Sequence, residues 1–130
     1  MRKIIACLFL TMDGVLQSPG GPDEDPSNNF KWGGWSAPHW DDLMNTQMAK
    51  LTAAPYDLLL GRRTYEIFAD FWPKQEGDPT SEAFNRINKY VVATTKVDTS
   101  WQNSILISEN VIEEIHKLKA TEGPNLLVYL

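Results

Sequence analysis

The densest concentration of chemistry-bearing residues is the run Leu58-Leu59-Leu60-Gly61-Arg62-Arg63-Thr64-Tyr65. An apolar segment there delivers the chain to a glycine, which permits close backbone approach, and then to two guanidiniums and the start of a helix. The free N–H groups and positive dipole of a helix N-terminus favour an anion. Arginine adds a planar fork that can donate two parallel charge-assisted hydrogen bonds to a phosphate. The run therefore describes a phosphate site, or else two solvated charges paired with a carboxylate such as Glu66 or Asp70. A second polar, basic group, Thr94-Thr95-Lys96, closes the next apolar segment. In open α/β sheets, ligands gather at the carboxyl ends of strands.

Other candidates are single residues. Asp13, in Met12-Asp13-Gly14, is an acid in a turn, able to exchange a proton with a bound ligand and equally readable as a turn residue bonded to its own backbone. Trp35, after Gly33-Gly34, can stack a flat substrate or plug a loop. His39, His116 and Cys7 show no ligand spacing, so no metal site or Cys-His pair is expected. Gly20-Gly21 and Gly33-Gly34 do not sit between a strand and a helix in a phosphate-binding register.

The elements that must position these residues can be read in order. Residues 4–10 are continuously apolar, the pattern of a strand buried on both faces. Residues 17–37 form a long Gly- and Pro-rich loop with the acidic run Asp23-Glu24-Asp25. Ser36 is the expected cap of the helix that follows, with Pro38, Asp41 and Asp42 in its first turn. Trp40, Leu43, Met44, Met48 and Leu51 make its core stripe, and Pro55 ends it. Residues 56–60 form a second strand, and Tyr65, Phe68, Ala69 and Trp72 recur at helical spacing up to Pro73. Asp78-Pro79 starts a short helix to about Ile87. Residues 90–94 and 105–107 are a third and a fourth strand, with Trp101 between them. Asn110 and Glu113 suggest a capping box for a helix over 110–120, with Val111, Ile115 and Leu118 inward and Glu113 four residues before Lys117. Residues 126–130 begin a fifth strand. Strands alternating with helices predict one α/β domain over residues 1–130, a layered fold with a mainly parallel sheet.

Composition narrows the function classes. With 130 residues, 42% of them apolar, the chain can build one core. Twelve Lys and Arg against 17 Asp and Glu give no basic excess, so nucleic acid is not the expected partner. No stretch approaches the roughly 20 apolar residues of a membrane span. The apolar N-terminal run lacks a small-x-small cleavage site, and the single Cys7 has no partner in the chain. A cytoplasmic protein without membrane contact is expected.

Taken together, Leu-Gly-Arg-Arg-Thr-Tyr-Glu at 60–66, Met12-Asp13-Gly14-Val15, Gly33-Gly34-Trp35, Lys89-Tyr90-Val91-Val92, Trp101-Gln102-Asn103-Ser104 and Leu126-Leu127-Val128 carry a resemblance. The whole chain resembles the dihydrofolate reductase-like group, and within it the RibD C-terminal, bifunctional deaminase-reductase type. The resemblance implies a three-layer α/β/α sandwich that binds NADPH. It implies that Gly61, Arg62, Arg63 and Thr64, with Thr95 and Lys96, hold the cofactor's phosphates, including the 2′-phosphate. It places Thr11, Met12, Asp13 and Gly14 beside the nicotinamide, Trp35 on the substrate side, and Asp42 where folate-reducing relatives carry a helix acid, a position the helix dipole alone also explains.

The family topology implies the strand order Ile105, Tyr90, Tyr56, Leu126, Ile4, each strand named by its first residue. Family members continue past the last strand into a Gly-rich turn and three further strands, whereas this sequence stops at Tyr129-Leu130. The strand at Ile4 then becomes an edge, and an apolar edge invites pairing. The expectation is a chain that self-associates or is a fragment, with weakened pyrophosphate contacts. The leading function is an NADPH-dependent reductase of a small heterocycle, pteridine- or ribityl-pyrimidine-like, of the kind used in riboflavin biosynthesis. The alternatives are a non-catalytic binding or interaction protein on the same fold, and a binder of a phosphorylated ligand with no redox role.

Overall fold

The computed structural model describes all 130 residues. They divide into two compact units, one made of Met1–Cys7 and Pro55–Leu130, the other of Leu8–Ala54. No helix is long and apolar enough to cross a membrane.

The first unit is built on five parallel strands, β1 (Ile4–Cys7), β2 (Tyr56–Gly61), β3 (Lys89–Val92), β4 (Ser104–Ile107) and β5 (Asn125–Tyr129). Their spatial order is β1-β5-β2-β3-β4, the order implied by the resemblance. Of the four helices, α1 (Asp42–Leu51) belongs to the second unit. The other three, α2 (Arg62–Phe71), α3 (Pro79–Arg86) and α4 (Val111–Ala120), belong to the first. The link from β2 to β3 through α2 and α3 runs one way along the sheet, and the link from β4 to β5 through α4 runs the other. Parallel crossovers are right-handed, so these helices cover opposite faces and make an α/β/α sandwich.

The core lies where β2 and β5 pair at the centre. Leu58, Leu60 and Leu126 have no exposed surface. On the α2/α3 face, Phe84 meets Phe68 at 5.7 Å, Trp72 at 5.2 Å and Tyr129 at 6.1 Å between ring centroids. Lys89 lies on the same face, fully buried, its Nζ donating to the carbonyls of Phe84 (2.5 Å) and Ile87 (2.8 Å) at the end of α3. Its ammonium also sits 4.4 Å from the centre of the Trp101 ring. Burial pulls this amine down to about 8, and the nearby Asp57 carboxylate offsets part of the pull. Side chains alternate along strands, so Asp57 and Tyr90 point to the other face. There Asp57 forms a buried ion pair with Arg2, accepts from the Asn88 N–H at 3.1 Å, and Arg2 Nε donates to Pro124 O at 2.5 Å. One guanidinium thus ties the entry of β1 to β2 and to the turn before β5.

Several expectations need correction. The first strand covers Ile4–Cys7 rather than residues 4–10, and it is not buried on both faces: Ile4 and Ala6 are exposed, Ile5 and Cys7 half-buried. As the family order implies, it is the edge strand, paired only with β5 in a ladder that closes at Cys7↔Tyr129. Ser36 caps no helix. Asp41 does so for α1, accepting from the Met44 N–H at 2.8 Å, while Ala37–His39 form a separate short 3-10 turn. None of α1 is buried, so its apolar stripe is not core: Met44, Met48 and Leu51 are half-buried and Leu43 is exposed. Asn110 precedes α4 in the left-handed region (φ 46°) with no side-chain cap, so the capping box is absent, whereas the Glu113–Lys117 pair forms at 3.0 Å. The Asp78 cap of α3 is present, its carboxylate accepting from the N–H groups of Thr80 and Ser81.

In the second unit, the only two buried residues are serines. Ser18 Oγ donates to Gly21 O (3.0 Å) and accepts from the Asp25 N–H, and Ser36 Oγ donates to Pro19 O (2.7 Å). Glu24 accepts the successive N–H groups of Gly20 and Gly21 at 2.6 and 3.0 Å. Gly33 is required by contact, since a Cβ there would lie 2.3 Å from Pro22 O. The Gly- and Pro-rich segment is therefore a self-bonded loop of fixed course.

Candidate functional site

The β2–α2 junction has no loop. Gly61 ends the strand and stands as the N-cap of α2, whose first residues are Arg62, Arg63 and Thr64. Tyr65 anchors the helix beneath, fully buried, its hydroxyl donating to Ser104 Oγ at 2.9 Å. Gly61 has ordinary extended dihedrals (φ −71°, ψ 160°), so its turn does not demand glycine. A Cβ there would meet nothing within 4 Å, so the backbone N-terminal to α2 is open to close approach. The first turn of α2 holds no acidic residue, and its first N–H groups have no acceptor within the helix.

β3 runs parallel beside β2 with Val92 opposite Gly61, so residues 93–96 leave the sheet at the same edge as the β2–α2 junction. Thr95 and Lys96 are exposed there. The fold thus brings Gly61, Arg62, Arg63, Thr64, Thr95 and Lys96 to the carboxyl ends of two adjacent strands, a set able to hold phosphate groups. Arg62 is also paired as the plainer reading anticipated, its Nη1 donating to both oxygens of Glu66 at 3.1 and 3.3 Å. Asp70 pairs instead with Lys74 at 2.5 Å.

The residues assigned to the nicotinamide and substrate lie in the second unit. Thr11, Met12, Asp13 and Gly14 form a tight turn in which Gly14 N–H donates to Thr11 O and Thr11 N–H to Val15 O. Asp13 is exposed, and its carboxylate accepts from the Thr11 hydroxyl at 2.6 Å, the local bonding of a turn residue. Met12 is fully exposed. Trp35 is half-buried, with Nε1 donating to Gln17 O at 2.9 Å, which fixes the ring within its loop. Asp42 is exposed in the first turn of α1. No three His, Cys, Asp or Glu side chains are grouped so as to hold a metal ion.

Sequence reasoning gave no role to Arg2, Asp57, Glu24 or Ser18. A charge inside the apolar run of β2 was the available signal for Asp57; nothing local marks the hydroxyls. A depression of about 740 Å³ lies between α2, α3 and residues 98–102, lined by Glu66, Asp70, Asn85 and Trp101 among others.

No family model matches the sequence. The chain is similar to the uncharacterized protein YyaP of Bacillus subtilis (strain 168), with 26% identity over 136 aligned positions. That alignment takes in 98% of this chain and 62% of the relative, so the chain spans about three-fifths of the length of the protein it matches.

Proposed function

We propose that the protein is an NADPH-dependent reductase of a small heterocyclic substrate, pteridine- or ribityl-pyrimidine-like, of the dihydrofolate reductase-like group and its RibD C-terminal type. The observation that carries this reading is the convergence of the β2–α2 junction and the end of β3 at one sheet edge. The β1-β5-β2-β3-β4 order supports it. NADPH, when bound, supplies the hydride. The chain's part is to bind and orient: Arg62, Arg63 and the first N–H groups of α2 take phosphate charge, and Thr95 and Lys96 add donors from β3. Thr11, Met12 and Gly14 form the turn assigned to the nicotinamide, Trp35 stacks the substrate, and Asp13 or Asp42 handles the proton. The setting is cytoplasmic, and the apolar edge strand β1 is suited to pairing with a second copy of the chain, a homo-oligomer.

Titration with NADPH and NADH, followed by quenching of the five tryptophans, tests the reading. Saturable quenching by NADPH is expected, weakened at least tenfold in Arg62→Gln; quenching by neither nucleotide overturns it. The self-bonded Asp13 turn favours one alternative, a binding protein on the same fold with no redox role. That protein would bind NADPH yet transfer no hydride to any pterin or pyrimidine offered.

A further inference from the structure

The Arg62–Glu66 pair has an unusual division of donors. Both carboxylate oxygens share the single nitrogen Nη1, at 3.1 and 3.3 Å, instead of meeting two nitrogens in a parallel fork. Nε and Nη2 of Arg62 donate to no protein group. Both side chains are about two-fifths exposed, so the pair is a weak one that solvent screens. It nevertheless keeps a full negative charge on the one guanidinium that stands first in α2.

Such a carboxylate acts differently on the two kinds of dinucleotide. A 2′-phosphate brings about two negative charges to Arg62 and is repelled by Glu66. A ribose 2′-hydroxyl can instead donate to a carboxylate, the way acidic residues recognise NAD in dinucleotide folds. We infer that Glu66 is a specificity-determining residue that, acting through Arg62, narrows the preference of this site for 2′-phosphorylated over 2′-hydroxyl nucleotides. The inference rests on the reductase reading above. It adds that the site is self-neutralised in the free protein and that NADH is an admissible ligand.

The test compares the wild-type protein with Glu66→Gln for both NADPH and NADH, each titrated by tryptophan quenching at low and at high salt. Glu66→Gln keeps the shape and removes the charge, and an exposed i,i+4 pair is worth too little for its loss to unfold the chain. Repulsion between one carboxylate and a phosphate dianion across a solvated gap of several ångströms amounts to about three- to tenfold in affinity. NADPH should therefore bind about three- to tenfold more tightly to the variant, NADH equally or more weakly, and the gain should shrink at high salt. A merely structural role for Glu66 moves both nucleotides together. An unchanged NADPH-to-NADH ratio, or one shifted toward NADH, overturns the inference while leaving the reductase reading in place. Quenching of neither protein by either nucleotide removes the reductase reading and this inference with it.

Discussion

Leu58 and Leu43 are the same residue type in the two units, and their surroundings could hardly differ more. Leu58 in β2 has no exposed surface, whereas Leu43 in α1 is 66% exposed. The sheet unit is held by leucines and aromatic rings between strands and helices. The other unit is held by serine hydroxyls, one glutamate and backbone N–H groups. The difference teaches that two kinds of order coexist in one chain. Apolar burial is roughly proportional to area and indifferent to direction. A hydrogen-bonded loop depends on each donor meeting its acceptor, and each net bond contributes only about 1 kcal/mol.

The largest expected effect separates the two units directly. Leu58→Ala should cost about 4 kcal/mol, from the lost transfer energy plus a cavity at the centre of the sheet. Leu43→Ala should stay within about 0.5 kcal/mol of wild type, as exposed substitutions do. Urea unfolding of both variants makes the comparison, and equal losses would break it.

A second effect, of about 3 kcal/mol at most, belongs to Lys89. Its folded value near 8 lies below the ordinary 10.5. From about pH 8 to 10.5 the unfolded chain holds a proton that the folded chain has released, so this group adds stability as the pH rises. Cys7 and Tyr129 act in the opposite sense at the alkaline end, because burial raises both and the folded chain keeps their protons longer. The difference between wild type and Lys89→Met isolates the amine. That difference should climb across the window and be flat below pH 7; a flat difference throughout would show that the sheet unit tolerates a buried charge without penalty.

The same contrast explains what could be read in advance. The strands were legible because each is a short apolar run bounded by turn residues, and the β2–α2 motif because its glycine and arginines sit at one fixed register, whereas the strand order followed only from the family resemblance. The apolar run alone describes β1 as buried on both faces, because an edge strand shares the residue types of an interior one and lacks only a neighbour; its edge position followed from the family order instead. Ser36 was misread because serine caps helices by the same hydroxyl chemistry that here serves Pro19 O, seventeen residues away. Which acceptor a hydroxyl finds is a long-range property. For the candidate site, Glu66 was visible in sequence as one of two carboxylates that could pair with the arginines, and Asp13 as a turn residue, but that the Thr11 hydroxyl is its donor was not.

The third effect sharpens the comparison inside the loop unit. Gly33→Ala forces a methyl against Pro22 O, where a Cβ would be 2.3 Å away, and backbone on both sides must shift. A cost of about 2 kcal/mol is expected, in the range of other local clashes. Because little apolar surface links this segment to a core of its own, the opening should be local. Amide exchange should quicken at Gly34 and Ser36, whose N–H groups donate to Ser18 O and Pro19 O, and stay unchanged at Leu58 and Leu126. Faster exchange at all four would mean that the two kinds of order melt as one.

The smallest effect asks how much a single hydroxyl contributes. Pro19 O accepts twice from Ser36, from Oγ at 2.7 Å and from the backbone N–H at 3.1 Å. Ser36→Ala removes the first and leaves the second, so the carbonyl keeps a donor and escapes the penalty of a buried, unpaired group. The loss should then be about 1 kcal/mol or less. Ser18→Ala differs, since Ser18 Oγ both donates to Gly21 O and accepts from the Asp25 N–H; its removal leaves Gly21 O with only the Glu24 N–H at 3.3 Å and takes away the acceptor of the Asp25 N–H. The exchange rates of Asp25 and Gly34 should therefore rise more in Ser18→Ala than in Ser36→Ala. The reverse order would mean that the loop is ordered by something other than the bonds these two serines make.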